Sequence, residues 1–358
     1  MKKNILVVSL LILFLFTNSA KLQSQPADSP WPMLMHDARH TGRSPFIGPE
    51  APNIAWTIKA SQWIPPLIGK NGIIYAYESN DGRLSLRLDG SIYWKQQGSS
   101  IQAISSDNKT LYSSSGDSIY ALNLDGTKKW TFPKGGRNGY LLVDSLDRII
   151  IDDGNKLTSL SPNGVQNWQF ELKSDAFITT PELCPAIGLD GSIYLRDADG
   201  IKAVDPNNGT LKWTYRIYVT SGKPTNSITV GEDGTIYVGN ATSWSDDPLL
   251  YAINTDGTIK WKLDINDLGI ISDRYSIFSP CAVGADSTIY LGVSTGWNDD
   301  GYLCAVDPDG NVKWTFQAWK GFPGSPICDA DGKVYAVSGD GVLFCFDSNG
   351  SKLWERSE

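Results

Sequence analysis

Short runs of alternating apolar and polar residues, cut at regular intervals by Asp-Gly or Asn-Gly pairs, fill almost the whole of this chain. Residues 227–263 show the unit most plainly. An apolar run, Ser227-Ile-Thr-Val-Gly, ends at the turn Glu232-Asp-Gly. Thr235 to Gly239 is β-branched, Leu250 to Asn254 alternates, and Asp256-Gly257 has the chemistry of a two-residue hairpin turn. Thr258 to Leu263 then carries Trp261 away from that turn. Four such strands in about forty residues make one blade of a β-propeller.

The unit recurs along the chain. Trp94, Trp130, Trp168, Trp213, Trp261, Trp314 and Trp354 each lie four residues after a turn glycine that follows Asp or Asn. Trp56, in Ile54-Ala-Trp-Thr-Ile, has the strand pattern without the turn. From Trp56 onward the spacings are 38, 36, 38, 45, 48, 53 and 40 residues. Each copy opens with an apolar strand, such as Ile101-Gln-Ala-Ile or Cys281-Ala-Val-Gly. The expectation is an all-β fold: a single propeller of seven four-stranded blades, with eight as the alternative. Trp56 and Trp354 either compete for one outer position or sit side by side in a five-stranded last blade, because an open sheet edge is a liability.

Composition narrows the function. With 41% apolar and 20% charged residues among 358, the chain can bury a full core. Residues 1–20 read as a secretory signal: Lys2 and Lys3 precede a twelve-residue apolar run, Ile5 to Phe16, broken only by Ser9. That run is short for a membrane span, which needs roughly 20 residues. Removing Lys2 and Lys3 from 31 basic residues leaves 29 against 39 acidic, a net charge of −10. With no basic cluster, a nucleic-acid partner is not expected. The predicted layout is a signal peptide over 1–20, an N-terminal segment over 21–52 and the propeller over 53–358, in an exported monomer of the periplasm, cell surface or extracellular space.

The repeat Ala203-x-Asp205-x-x-x-Gly209-x-x-x-Trp213, and its shorter form Ala252-x-Asn254-x-x-Gly257-x-x-x-Trp261, resemble the tryptophan-docking repeat of PQQ-type quinoprotein propellers. The segment Trp31-Pro-Met-Leu-Met-His-Asp-Ala-Arg-His-Thr-Gly-Arg-Ser44 is similar to the opening of exported PQQ-like repeat proteins. The resemblance spans about residues 31–358. It implies that the eight tryptophans, Trp56 and Trp354 included, are structural and lock each blade to its neighbour. It also raises a PQQ-dependent oxidoreductase with Ca²⁺ as one alternative. That family often places a disulfide between adjacent cysteines beside the quinone, and no two cysteines here are adjacent. No base or metal ligand of the family maps onto this chain. In its repeats the chain further resembles the propeller lipoprotein of the outer-membrane barrel-assembly machinery, without the lipid-anchoring cysteine.

Other candidate chemistry is sparse. Cys184, Cys281, Cys304, Cys328 and Cys345 fall on predicted strands and read as small core residues. His36 and His40 are the two histidines; spaced i, i+4, they would share a helical face and hold a metal. The reading preferred is a segment capping the ring, with these histidines and Arg39 hydrogen-bonding to it. Asp-rich turns such as Asp329-Ala-Asp-Gly332 are hairpin chemistry, lacking the later acidic ligands of a calcium loop.

The copies differ in one kind of connection. Turns between strands one and two and between three and four are short; every long insertion falls between strands two and three or between blades, hence on the opposite face. Ser243-Trp-Ser-Asp-Asp-Pro248 and Gly296-Trp-Asn-Asp-Asp-Gly301 occupy the same connection of successive copies. The candidate binding residues are therefore Trp244, Asp246, Asp247, Trp297, Asp299 and Asp300, joined by Arg274, Tyr275, Trp319 and Lys320 from the inter-blade connections. Repeat proteins usually place insertions on their binding face, and tryptophan beside carboxylates suits a sugar ring or a peptide. The other reading is that Trp244 and Trp297 pack on each other to hold long loops. The function expected is non-catalytic, with no cofactor: a binding or scaffold protein for a protein or carbohydrate of the cell envelope. No catalytic or metal residue is assigned.

Overall fold

A computed structural model describes residues 29–58, 65–78, 82–134, 139–173, 184–217, 228–239, 241–242, 250–269, 275–276, 280–294 and 301–357. They form a seven-bladed β-propeller of antiparallel sheets with no α-helix among the described residues. Blade 1 comprises Leu67–Ile68, Ile74–Glu78, Gly82–Leu86 and Ile92–Gln96; blade 2, Ile101–Ile104, Leu111–Ser115, Ser118–Leu122 and Lys128–Pro133. Blade 3 holds Tyr140–Val143, Ile149–Asp152, Lys156–Leu160 and Gln166–Glu171; blade 4, Ala186–Ile187, Ile193–Asp197, Gly200–Val204 and Leu211–Tyr215. Ile228–Val230, Ile236–Gly239, Leu250–Ile253 and Ile259–Leu263 build blade 5. Blade 6 uses Ala282–Val283, Ile289–Ser294, Gly301–Val306 and Val312–Ala318, and blade 7 uses Ile327–Cys328, Val334–Val337, Leu343–Phe346 and Lys352–Arg356.

The Asp-Gly turns explain the regularity. Asp256 Oδ1 accepts from the Thr258 amide at 2.9 Å, and Gly257 takes φ +87°, which costs a glycine nothing. The third and fourth strands of every blade slip register once, one residue beyond the position facing the tryptophan. That facing residue is always small: Ser85, Ala121, Ser159, Ala203, Ala252, Ala305 or Cys345. Cys345 is thus a small residue under an indole, and all five cysteines are buried and free.

Seven indoles reach the next blade. Trp94 Nε1 donates to the Leu124 carbonyl at 2.8 Å, Trp130 to Pro162, Trp168 to Pro206, Trp213 to Thr255, Trp261 to Pro308 and Trp314 to Ser348. Trp56 makes the seventh such bond, to Leu88 of blade 1 at 2.7 Å, from a segment that forms no strand. Trp354 sits in the fourth strand of blade 7, and its Nε1 has no hydrogen-bond partner among the described residues. The two therefore do not form a five-stranded blade: each keeps its own place at the seam between blades 7 and 1.

Candidate functional site

The segment around Trp31 does more than cap the ring. It runs around the axis and meets the innermost strands in blade order. Ile68 of blade 1 exchanges both backbone bonds with Trp31, and Ile104 of blade 2 donates to the Pro32 carbonyl. Ile187 of blade 4 donates to Ala38, Val230 of blade 5 to Arg39, Val283 of blade 6 to Thr41 and Cys328 of blade 7 to Gly42, at 2.7–2.9 Å. Met33 and Ala38 join the hydrophobic core that includes Leu141 to Val143 of blade 3. These inner-edge amides would otherwise face the channel unpaired, so the segment satisfies a ring of backbone donors. Each contact lies at the end of its strand, beside the short Asp-Gly turns. Residues 31–44 are therefore an axial plug at the short-turn face.

Asp37 folds the plug. Its carboxylate accepts from the amides of Arg39 and Thr41, at 2.9 and 3.2 Å, and from the Thr41 hydroxyl at 2.6 Å. Burial alone would raise its pKa; the His36 imidazole at 3.6 Å, the Arg39 guanidinium at 4.0 Å and the Thr41 hydroxyl overcome that and hold it at about 2. Arg39 and Arg43 also bridge to Glu232 at the first turn of blade 5. Met35, His36 and His40 take φ of 54°, 76° and 59°, a left-handed geometry that only a firmly held segment keeps. The segment is not helical, and the histidines diverge. His36 lies edge-on to Trp31 with ring centroids 5.2 Å apart, whereas His40 Nδ1 meets the Ile228 carbonyl of blade 5 at 2.9 Å. No metal pair forms on a shared face, and among the described residues no three His, Cys, Asp or Glu side chains converge as a metal set.

The other face carries the insertions. Trp244, Asp246, Asp247, Arg274, Trp297, Asp299 and Asp300 lie outside the described residues. The roots of their loops do not. Ala241–Thr242, beside the Trp244 loop, pairs with Tyr275–Ser276, and Ser276 pairs with Ser294, where the Trp297 loop begins. Gly301, where that loop ends, pairs with Ala318, and the next turn presents Trp319 and Lys320. Four loops thus share one root on the insertion face of blades 5 and 6. A Cβ on Gly301 would lie 2.4 Å from the Gly321 Cα, and one on Gly339 would lie 2.5 Å from the Lys320 carbonyl oxygen, so the turn sits backbone to backbone. Trp319 is 59% exposed, Lys320 holds φ +59°, and its Nζ lies 5.1 Å from the centre of the indole.

Sequence reasoning missed a buried charged group on this same face, at blades 3 and 4. Asp152 and Asp197 end second strands, Asp153 follows directly on Asp152, and Lys202 Nζ pairs with Asp197 at 2.5 Å. Burial, with the charges of Asp153 and Asp197, pushes Asp152 up to about 7 against the Gly154 amide that lowers it. Acid at the end of an otherwise apolar strand, as in Ile149-Ile-Ile-Asp152-Asp153, was the available signal.

Blade number, docking indoles and four-stranded repeats define a propeller of PQQ-like repeats. More narrowly, the chain belongs to the family described as outer membrane protein assembly factor BamB, whose pattern matches residues 48–186 and 197–357. No curated protein matches the chain significantly. Among solved structures it is similar to BamB from Moraxella catarrhalis, at 17% identity and a TM-score of 0.61, over 84% of this chain and 89% of that one. It is also similar to a europium-containing methanol dehydrogenase (13%, TM-score 0.67, 92% and 85%). A quinohemoprotein alcohol dehydrogenase from Comamonas testosteroni gives 13%, 0.62, 91% and 72%. At these identities the structural likeness establishes the fold alone.

Some of these folds imply a quinone, and two features of this chain differ from such a site. The chain has no adjacent cysteine pair: its five thiols are buried, with Cys184 and Cys281 just before inner strands and not in them as the sequence suggested. The axial channel is filled at the short-turn end by residues 31–44. No helix of the described residues is long and apolar enough to cross a membrane.

Proposed function

We propose that this chain is an exported, non-catalytic scaffold that docks a protein of the cell envelope through its insertion-rich face. The observation that carries the reading is the shared root of four loops, with Trp319 displayed on a turn fixed against Gly301 and Gly339. A large exposed aromatic on a rigid support loses little entropy on binding, which is the usual character of an interface anchor. Family membership favours a protein partner over a carbohydrate, and it agrees with an export signal over residues 1–20. The lack of an adjacent cysteine pair weighs against a quinone-dependent role. The test is in-cell photocrosslinking from position 319, with position 165 on the short-turn face, similarly exposed, as the control. A discrete adduct from 319 and none from 165 supports the reading; equal adducts from both, or none from 319, overturn it.

A further inference from the structure

The turn that receives each docking indole has Asp or Asn immediately before its glycine. Asp stands there in blades 1, 2, 5 and 6; blades 3, 4 and 7 have Asn163-Gly164, Asn208-Gly209 and Asn349-Gly350. The first turn of blade 1 adds a fourth described pair, Asn71-Gly72. Such a pair is a chemical weak point, because glycine has no side chain to keep its amide nitrogen away from the carboxamide carbon before it. All four glycine amides are engaged alike, donating to a carbonyl three or four residues back at 2.9–3.1 Å. What separates the pairs is the asparagine side chain.

Two of the four are clamped. Asn208 Oδ1 accepts from the Thr210 amide at 2.9 Å and from the Thr210 hydroxyl at 2.8 Å. Asn71 Oδ1 accepts from the Ile73 amide at 3.1 Å, and the same side chain bonds the Tyr75 hydroxyl. In the other two turns the cap comes from the first residue instead. Val165 donates its amide to Ser161 Oγ at 3.2 Å, while the amides of Asn349 and Ser351 both go to Asp347 Oδ1, at 2.9 and 2.8 Å. The carboxamides of Asn163 and Asn349, both exposed residues, are left without a hydrogen bond among the described residues. These two asparagines also sit inside blade junctions. Trp130 Nε1 donates to the carbonyl of Pro162, one residue before Asn163, and a Cβ on Gly164, one residue after, would lie 2.8 Å from the same ring. Trp314 holds Ser348 and Gly350 in the same way, at 3.1 and 2.6 Å.

We propose that Asn163 and Asn349 are sites of spontaneous deamidation, and that the isoaspartate formed there loosens the junctions of blade 2 with 3 and of blade 6 with 7. The glycine amide nitrogen gives its proton to solvent and attacks Cγ of the asparagine. The new C–N bond closes a cyclic imide, and the carboxamide nitrogen leaves with a proton as ammonia. Water then opens one or other imide carbonyl. Opening one way leaves aspartate, the residue that the turns of blades 1, 2, 5 and 6 already carry. Opening the other way leaves isoaspartate, whose main chain is longer by a methylene. That methylene falls between the carbonyl that accepts the indole N–H and the glycine packed on the indole, so one of the two contacts is lost. At Asn71 and Asn208 two hydrogen bonds must break before the imide can close, which slows the reaction there by roughly tenfold.

The test is incubation of the folded protein in mildly alkaline buffer beside a second sample in urea, followed by digestion and mass spectrometry of the four pairs. Isoaspartate is scored by methyl transfer from an isoaspartyl methyltransferase used as a reagent. In the folded protein Asn163 and Asn349 are expected to deamidate about tenfold faster than Asn71 and Asn208. In urea, where each asparagine simply precedes a glycine in a free chain, the four rates should converge. Thr210→Ala, at an exposed position, removes the hydroxyl from Asn208 and should raise its folded-state rate about threefold. Equal rates at the four pairs in the folded protein, or a ranking that survives in urea, overturn the site assignment. For the junctions, the double variant Asn163→Asp/Asn349→Asp carries the ordinary product at both positions and should melt as the parent does, while aged parent rich in isoaspartate should melt at a lower temperature. Aged protein with isoaspartate at both positions and an unchanged melt overturns the loosening. A double variant that melts as low as the aged sample assigns the effect to charge and overturns it too.

Discussion

Replacing Asp37 by asparagine strikes the one side chain on which the axial plug is folded. Two routes give the size of the effect. The carboxylate accepts three hydrogen bonds within its own loop. Asparagine keeps the oxygen that takes both amides and turns an NH₂ toward the Thr41 hydroxyl and the Arg39 guanidinium, so the loss is about 1–3 kcal/mol, the cost of one charge-assisted bond lost with a buried donor left facing donors. Separately, its pKa falls from an ordinary 3.8 to about 2. At about 1.4 kcal/mol per pH unit that depression is worth about 2 kcal/mol. Because the folded-state pKa lies below the unfolded one, this contribution is complete above about pH 4 and is lost as the pH falls toward 2. Urea unfolding of the parent and the variant between pH 2 and 7 reads both numbers. The parent should lead by about 2 kcal/mol or more at pH 7, and the lead should shrink below pH 4. Amide exchange adds a local readout, since the amides of Ile187, Val230 and Val283 close onto the plug and should exchange faster in the variant. Equal stability at pH 7 together with parallel pH profiles would refute the claim that Asp37 holds the plug.

Trp168→Ala should cost about 3 kcal/mol by thermal or urea unfolding, because this indole is 8% exposed and bonded to Pro206; a loss below that of an exposed residue would contradict the docking role. Gly257→Ala should cost clearly more than Gly269→Ala. Both glycines have positive φ, but a Cβ at 257 would lie 2.8 Å from the Trp213 ring and one at 269 would meet nothing within 4 Å; equal losses would assign the whole effect to backbone strain. Asp152→Asn should stabilise the protein at pH 7, by up to about 4 kcal/mol, since a carboxyl raised to about 7 by burial and two neighbouring acids opposes folding as pH rises from 4 to 7. The gain should vanish near pH 4, and a gain that persists there would point to packing instead of charge.

What the sequence by itself determined is the local, repeated part of this protein. Strand period, Asp-Gly turns and the tryptophan four residues beyond each glycine act over a few residues, so each copy encodes its own blade. The face carrying the insertions followed from strand alternation alone. Tertiary structure decided everything that depends on where the repeats end. Residues 31–44 carry no strand or helix period, because their hydrogen-bond partners are the inner edges of six blades between 37 and 286 residues further on. Nothing local could announce that Asp37 is a loop-organising acid, since its environment is made by the ring. Trp56 and Trp354 both read as outer-strand tryptophans, though only Trp354 follows a turn glycine; only the assembled seam gave one an acceptor on blade 1 and left the other without one. Likewise Val337 and Ile327 read as core positions in their strands, and they are exposed because burial there is conferred by a neighbouring blade, not by the strand itself.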